Sequence, residues 1–179
     1  MHIPLRTLPI ALACLLASAC APVDTTLASP ADGEKSASVR EEKKTASKVA
    51  RIGIPVKDGK FTFKVTQAKN GPAKIGDSFF SHTPQGRFYL VHVTVKNHGN
   101  EPQYFLGDAQ KLLAGKKEFS TDGEASIYLK DSKSLFEEIN PGNTVKGVIV
   151  YDIPKNVRPT TIELHDSLFS GGVRVSLTE

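Results

Sequence analysis

From Phe88 to Asn97 the chain reads FYLVHVTVKN, with Tyr89, Val91, Val93 and Val95 on one face and Phe88, Leu90, His92 and Thr94 on the other. Alternation at a period of two, in a run rich in β-branched and aromatic residues, predicts a central strand with Val91 and Val93 toward the core and His92 half-exposed on the outer face. Asn97-His98-Gly99-Asn100 supplies turn chemistry directly afterwards, and Glu101-Pro102 cannot continue a ladder.

The same period recurs on both sides. Phe61, Phe63 and Val65 share a face after the turn Lys57-Asp58-Gly59-Lys60, and Asn70-Gly71-Pro72 ends that strand. The segment from Asp77 to Gly86 contains Phe79-Phe80 but also His82, Pro84 and Gly86, and reads as a loop or broken edge. Lys111 to Ala114, the Gly115-Lys116 turn and Lys117 to Phe119 predict a hairpin. Asn140-Pro141-Gly142-Asn143 launches a second strong strand, Thr144 to Tyr151, closed by Asp152-Ile153-Pro154; Thr161 to His165 and Val173 to Leu177 complete the set. The region from Asp122 to Asn140 shows no clear period, and its Ser134 to Ile139 stretch fits a helical turn or a short strand. About seven strands with Gly, Pro and Asn turns, and no long helical pattern, predict an all-β fold, an antiparallel sandwich.

The first 51 residues follow different rules. Leu8 to Leu16 is an apolar run behind the weakly basic His2 and Arg6, too short to cross a bilayer that needs roughly 20 helical residues, and it reads as an export signal. It leads into Leu16-Ala17-Ser18-Ala19-Cys20, which resembles the lipobox of bacterial lipoproteins. That resemblance implies cleavage after Ala19, so that residues 1–19 are a signal peptide, and lipidation of the Cys20 thiol. From Ala21 to about Arg51 the composition shifts to Ala, Ser, Thr, Pro, Lys and Glu without an aromatic residue, so residues 20–51 are expected to form the lipidated, flexible tether and 52–179 the sandwich domain.

Cysteine usage fits this division. The chain has two Cys, and Cys14 lies within the segment to be removed, which leaves Cys20 alone and no disulfide within a mature chain. Acyl chains contribute roughly 0.8 kcal/mol per buried CH₂, enough for stable attachment when two or three are present. Ala21 at the second mature position implies, by the same lipoprotein resemblance and in a Gram-negative host, sorting to the periplasmic face of the outer membrane; in a Gram-positive host the address is the cell membrane.

The order GKFTFKV, GRFYLVHVTVKNHGNEP and INPGNTVKGVIVYDIP, within Val56 to Leu177, resembles a widespread family of domains of bacterial lipoproteins and secreted proteins. Those domains are similar to the mycobacterial immunoprotective secreted antigen. The resemblance implies an immunoglobulin-like sandwich and an envelope address, and it carries no reaction.

Charge and chemistry add little to that picture. The formal net charge of +4 falls to +3 on loss of Arg6, and Lys43, Lys44, Lys48, Lys57 and Lys60 cluster near the tether, a pattern that fits either an anionic membrane surface or solubility alone. Nucleic acid is excluded as a partner by compartment. There is no Gly-x-Ser-x-Gly elbow and no free mature thiol, and Ser81-His82 are neighbours in sequence only. Of His82, His92, His98 and His165, the last comes nearest to a metal site, because Glu163 and His165 at i and i+2 of a strand share a face and Asp166 follows. Asp122-Gly123-Glu124 lacks the spacing of a calcium loop. The expectation is a non-enzymatic, cofactor-free lipoprotein that binds or scaffolds an envelope protein or cell-wall component. A binding module for a small ligand or metal ion is the alternative, and an envelope hydrolase comes third.

Overall fold

The computed structural model describes residues 49–129 and 136–178. The signal peptide, Cys20 and residues up to Lys48 lie outside them. In chain order the elements are β1 (Ala50–Arg51), β2 (Val56–Asp58), β3 (Phe61–Asn70), β4 (Ile75–Gly76), β5 (Ser81–His82), β6 (Arg87–Asn97), β7 (Gln103–Leu106), β8 (Lys111–Ala114), β9 (Lys117–Phe119), α1 (Gly123–Tyr128), β10 (Phe136–Ile139), β11 (Thr144–Ile153), β12 (Thr161–Leu164) and β13 (Val173–Ser176).

Two sheets face each other, one ordered β1-β13-β12-β8-β9 and the other β11-β6-β3-β2, with β10-β7 and β4-β5 as small separate ladders. The chain is therefore an antiparallel β-sandwich, as its strand pattern predicts. The described residues hold more strand segments than the roughly seven expected, because pieces of two or three residues are too short to carry a readable period. One of these pieces departs from the antiparallel rule: β1 pairs parallel with β13, Ala50 opposite Val175 and Arg51 opposite Ser176. Among the described residues the sheet begins at Ala50.

β6 is central, with β11 on one side and β3 on the other. Its inward face carries Tyr89, Val91, Val93 and Val95 into a core completed by Phe61, Phe63 and Val65 of β3, Ile149, Tyr151 and Ile153 of β11, and Leu112, Ile162, Leu164 and Val175 of the opposite sheet. Phe61, Phe63 and Phe105 meet edge-on or tilted, with centroids 5.8 to 6.5 Å apart. Burying each such ring contributes roughly 1.5–3 kcal/mol relative to exposure. The Tyr151 hydroxyl is buried there without a hydrogen-bond partner, and burial pushes its pKa far above the ordinary phenol value.

The outer face of β6 is only half open. Phe88 and Leu90 are buried in a second cluster with Ile75, Ala125 and Val150. What covers them is the segment the sequence left undecided. Asp122 caps α1, its carboxylate accepting from the Ala125 N–H at 2.9 Å, while its own N–H donates to the Val150 carbonyl at 2.8 Å. These bonds pin a six-residue helix over β6 and β11, too short to form alone. Phe136–Ile139 of the same region is a strand.

Candidate functional site

Four loops converge at one end of the sandwich: a single side chain joins two of them, and the His98 N–H, donating to the Lys60 carbonyl at 2.8 Å, brings in the β2–β3 turn as the third. Asn97 ends β6 fully buried; its Nδ2 donates to the carbonyls of Glu101 and Ile139, each at 2.8 Å, and its Oδ1 accepts from the Gly99 N–H at 2.7 Å. The fourth loop, 165–172 between β12 and β13, is tied in through acids. Asp58 accepts from the Asp166 N–H at 2.8 Å, and Asp166 accepts from the Lys60 N–H at 3.2 Å.

Glu163, in β12, and His165, the first residue of this loop, are the pair the strand spacing puts on one face. They do meet: His165 Nε2 lies 3.1 Å from Glu163 Oε1, and Nδ1 lies 3.2 Å from Ser170 Oγ. Arg174, directly across the ladder from Glu163, donates from Nε to the other carboxylate oxygen at 2.6 Å. Gly172 closes the loop at φ +68°, so near the ring that a Cβ would stand 2.5 Å from His165 Cε1. Gln110, fully buried, fixes the backbone behind the ring: it accepts from the His165 N–H at 2.8 Å and donates to the His165 carbonyl at 3.0 Å.

Ser170, His165 and Glu163 form a line of the kind that activates a serine, yet two features oppose that use. Glu163 is shared with a guanidinium that neutralises it. The two grooves flanking the loop, of about 580 and 220 Å3, are lined by Glu163 but not by Ser170. The arrangement braces the loop. Burial raises the Glu163 pKa, but hydrogen bonds from Arg174 and His165 outweigh it and hold the carboxyl below its ordinary value. A depressed folded-state pKa gives stability that is present above about pH 4.3 and lost as pH falls through the lower, folded-state value. Glu163→Gln should therefore flatten the acid limb of a stability-versus-pH curve below pH ~4.3, read by urea melts. An unchanged acid limb would show that the pair does no such work.

The remaining candidates are placed elsewhere. Ser81 and His82 are successive residues of β5 and project to opposite faces; His82 lies instead 3.2 Å from Asp122 Oδ2 and 3.4 Å from Glu124 Oε1. His92 is half-buried on the outer face, as the alternation predicts, and desolvation together with Lys69 lowers its pKa. His98 is exposed, its N–H donating to the Lys60 carbonyl. Asp122-Gly123-Glu124 is the start of α1. Among the described residues no group of three or more His, Cys, Asp or Glu is placed to hold a metal ion, and no helix is long and apolar enough to cross a membrane.

The segment from residue 50 to residue 175, from β1 into β13, matches the family model described as a domain of unknown function, DUF4352. The chain belongs to the DUF4352 family. Solved structures share the DUF4352 fold at low identity. The yjhA protein of Bacillus subtilis is 16% identical, with a TM-score of 0.55 over 73% of this chain and 100% of that one. The secreted protein MPT63 of Mycobacterium tuberculosis is 14% identical, at 0.50 over 68% and 92%. The candidate lipoprotein ycdA of Bacillus subtilis is 15% identical, at 0.50 over 70% of this chain and 39% of that one. Among curated proteins none shows a significant match. The DUF4352 match takes in the whole sandwich, the braced loop included, and its description specifies no reaction.

Sequence reasoning missed Ser170 and Arg174. Arg174 becomes a partner only through the β12–β13 register, and Ser170 only through the loop path; neither has a local signal.

Proposed function

We propose that this protein is a membrane-anchored lipoprotein, lipidated at Cys20, whose DUF4352 sandwich is a non-catalytic binding or scaffolding domain of the cell envelope. The observation that carries the reading is the lipobox-like Leu16-Ala17-Ser18-Ala19-Cys20 at the end of an export signal, with Cys20 the sole cysteine left after cleavage. The fold is compatible with it: the described sandwich contains no cysteine and is held by its apolar core alone. Residues 20 to about 50 serve as the tether, and Ala21 favours the periplasmic face of the outer membrane in a Gram-negative host. The similarity to ycdA and MPT63 supports an address outside the cytoplasm without specifying it.

Cys20→Ser should shift the protein almost completely from washed membranes to the soluble fraction, as read by fractionation, because no other group supplies acyl chains. Unchanged attachment of that variant would overturn the lipoprotein reading. The binding role is tested separately by in-cell crosslinking of the intact protein: a recurrent envelope partner is the expected result, and crosslinks spread evenly over abundant proteins would count against a specific scaffold.

A further inference from the structure

Leu168 and Phe169 stand at the tip of the 165–172 loop, 67% and 97% exposed. The base beneath them is braced by hydrogen bonds. His165 joins Glu163 to Ser170, Ser170 Oγ lies 3.2 Å from the Ser167 carbonyl, and Asp166 is tied to Asp58 and Lys60. Two large apolar side chains held in water on a braced loop form a surface suited to an apolar partner.

The place where the described chain begins indicates which partner. Since β1 runs parallel to β13 with Ala50 opposite Val175, Val49 lies toward Arg174 and Gly172, and Val49, Gly171 and Gly172 line one shallow groove. The chain therefore leaves the sandwich beside this loop. Residues 21–48, the 28 that follow Cys20, would span only about 30 Å as a coil. An anchor at Cys20 thus brings this end of the sandwich to the bilayer first. Charge is balanced around the contact: the exposed Lys57, Lys60 and Arg174, the last paired with Glu163, offset the half-buried Glu163, Asp166 and Asp58, so the contact rests on the apolar tip and on the place where the chain leaves the sandwich. On the far side of Leu168, Asp108 accepts from Thr121 and Glu118 pairs with Lys111.

We propose that Leu168 and Phe169 insert into the lipid surface to which Cys20 anchors the chain, so that the sandwich stands with its braced end on the membrane. This rests on the lipidation of Cys20. Phe79 and Phe80, exposed on the β4–β5 turn, belong to a different face, beside Ile127 and Tyr128, and remain in water.

The chain contains no tryptophan, so Phe169→Trp and Phe79→Trp each introduce a single reporter at an exposed position. The lipidated full-length variants are reconstituted into vesicles of phosphatidylethanolamine with about one quarter phosphatidylglycerol, with and without brominated acyl chains. Vesicle sedimentation reads the anchor and fluorescence reads the loop. The expected result is co-sedimentation of both variants, with a blue shift and about two-fold quenching by brominated lipid at position 169 and neither at 79. Co-sedimentation with position 169 quenched no more than 79 overturns the loop contact and leaves the anchor standing. Failure to sediment overturns both. A blue shift at 169 that grows with protein density and is indifferent to bromine would assign the surface to a second copy of the chain, and would also overturn the proposal.

Discussion

Val93→Asp should leave no folded sandwich, whereas His92→Asp, one residue away, should cost no more than about 1 kcal/mol. Val93 is 1% exposed and lies between Val65 of β3 and Gly147 of β11 in the ladder, inside the main core. A carboxylate there has no partner, and burying it consumes most of the roughly 5–15 kcal/mol that holds a domain of this size. His92 faces the other way, into a shallow groove with Thr66, Thr94 and Lys146. Desolvation, the larger cause of its lowered pKa, also opposes a carboxylate in its place, but the Lys69 charge offsets part of that cost. Urea melts of the two purified variants decide the matter. A stable Val93→Asp beside an unfolded His92→Asp would mean that β6 is read in the wrong register.

The second large effect is expected at Asn97. Asn97→Ala should lower stability by about 2–3 kcal/mol, because it strands the buried Ile139 carbonyl and leaves the part-buried Glu101 carbonyl and Gly99 N–H without the amide. Asn97→Asp keeps the acceptor for Gly99 and loses both donors, so it should be comparably damaging near neutral pH. Chemical denaturation of both variants is the measurement. A loss of under about 1 kcal/mol for each would show that the loops are held by their own backbone bonds.

Much of this fold was legible because its long strands obey a period of two. β3, β6 and β11 and the β8–β9 hairpin fall where alternation and turn residues place them. The outer face of β6 was not legible: Phe88 and Leu90 alternate correctly with Tyr89 and Val91, but nothing local says that α1 and the β4–β5 ladder will cover them. A six-residue helix is too short to show a period of 3.6. The meeting of Glu163 and His165 follows from strand geometry alone. Their ties to Arg174 and Ser170 depend on pairing and loop path, which are set by the tertiary fold. The burial of Asn97 was hidden for the same reason, since an Asn-His-Gly-Asn run reads as a solvated turn.

The parallel attachment of β1 has a mechanical consequence. A pull on the chain ahead of Val49 acts along the axis of β1 and loads its pairing with β13 in shear. That pairing is two residue pairs long, against ten between β6 and β11. With little beyond the Gly53-to-Val65 hydrogen bond behind it, β1 would yield first and release residues 50–55. That adds roughly 20 Å of reach while the antiparallel sheets stay closed. The domain therefore has a compliant first segment, which lets the sandwich absorb a displacement of the chain ahead of Val49 without unfolding.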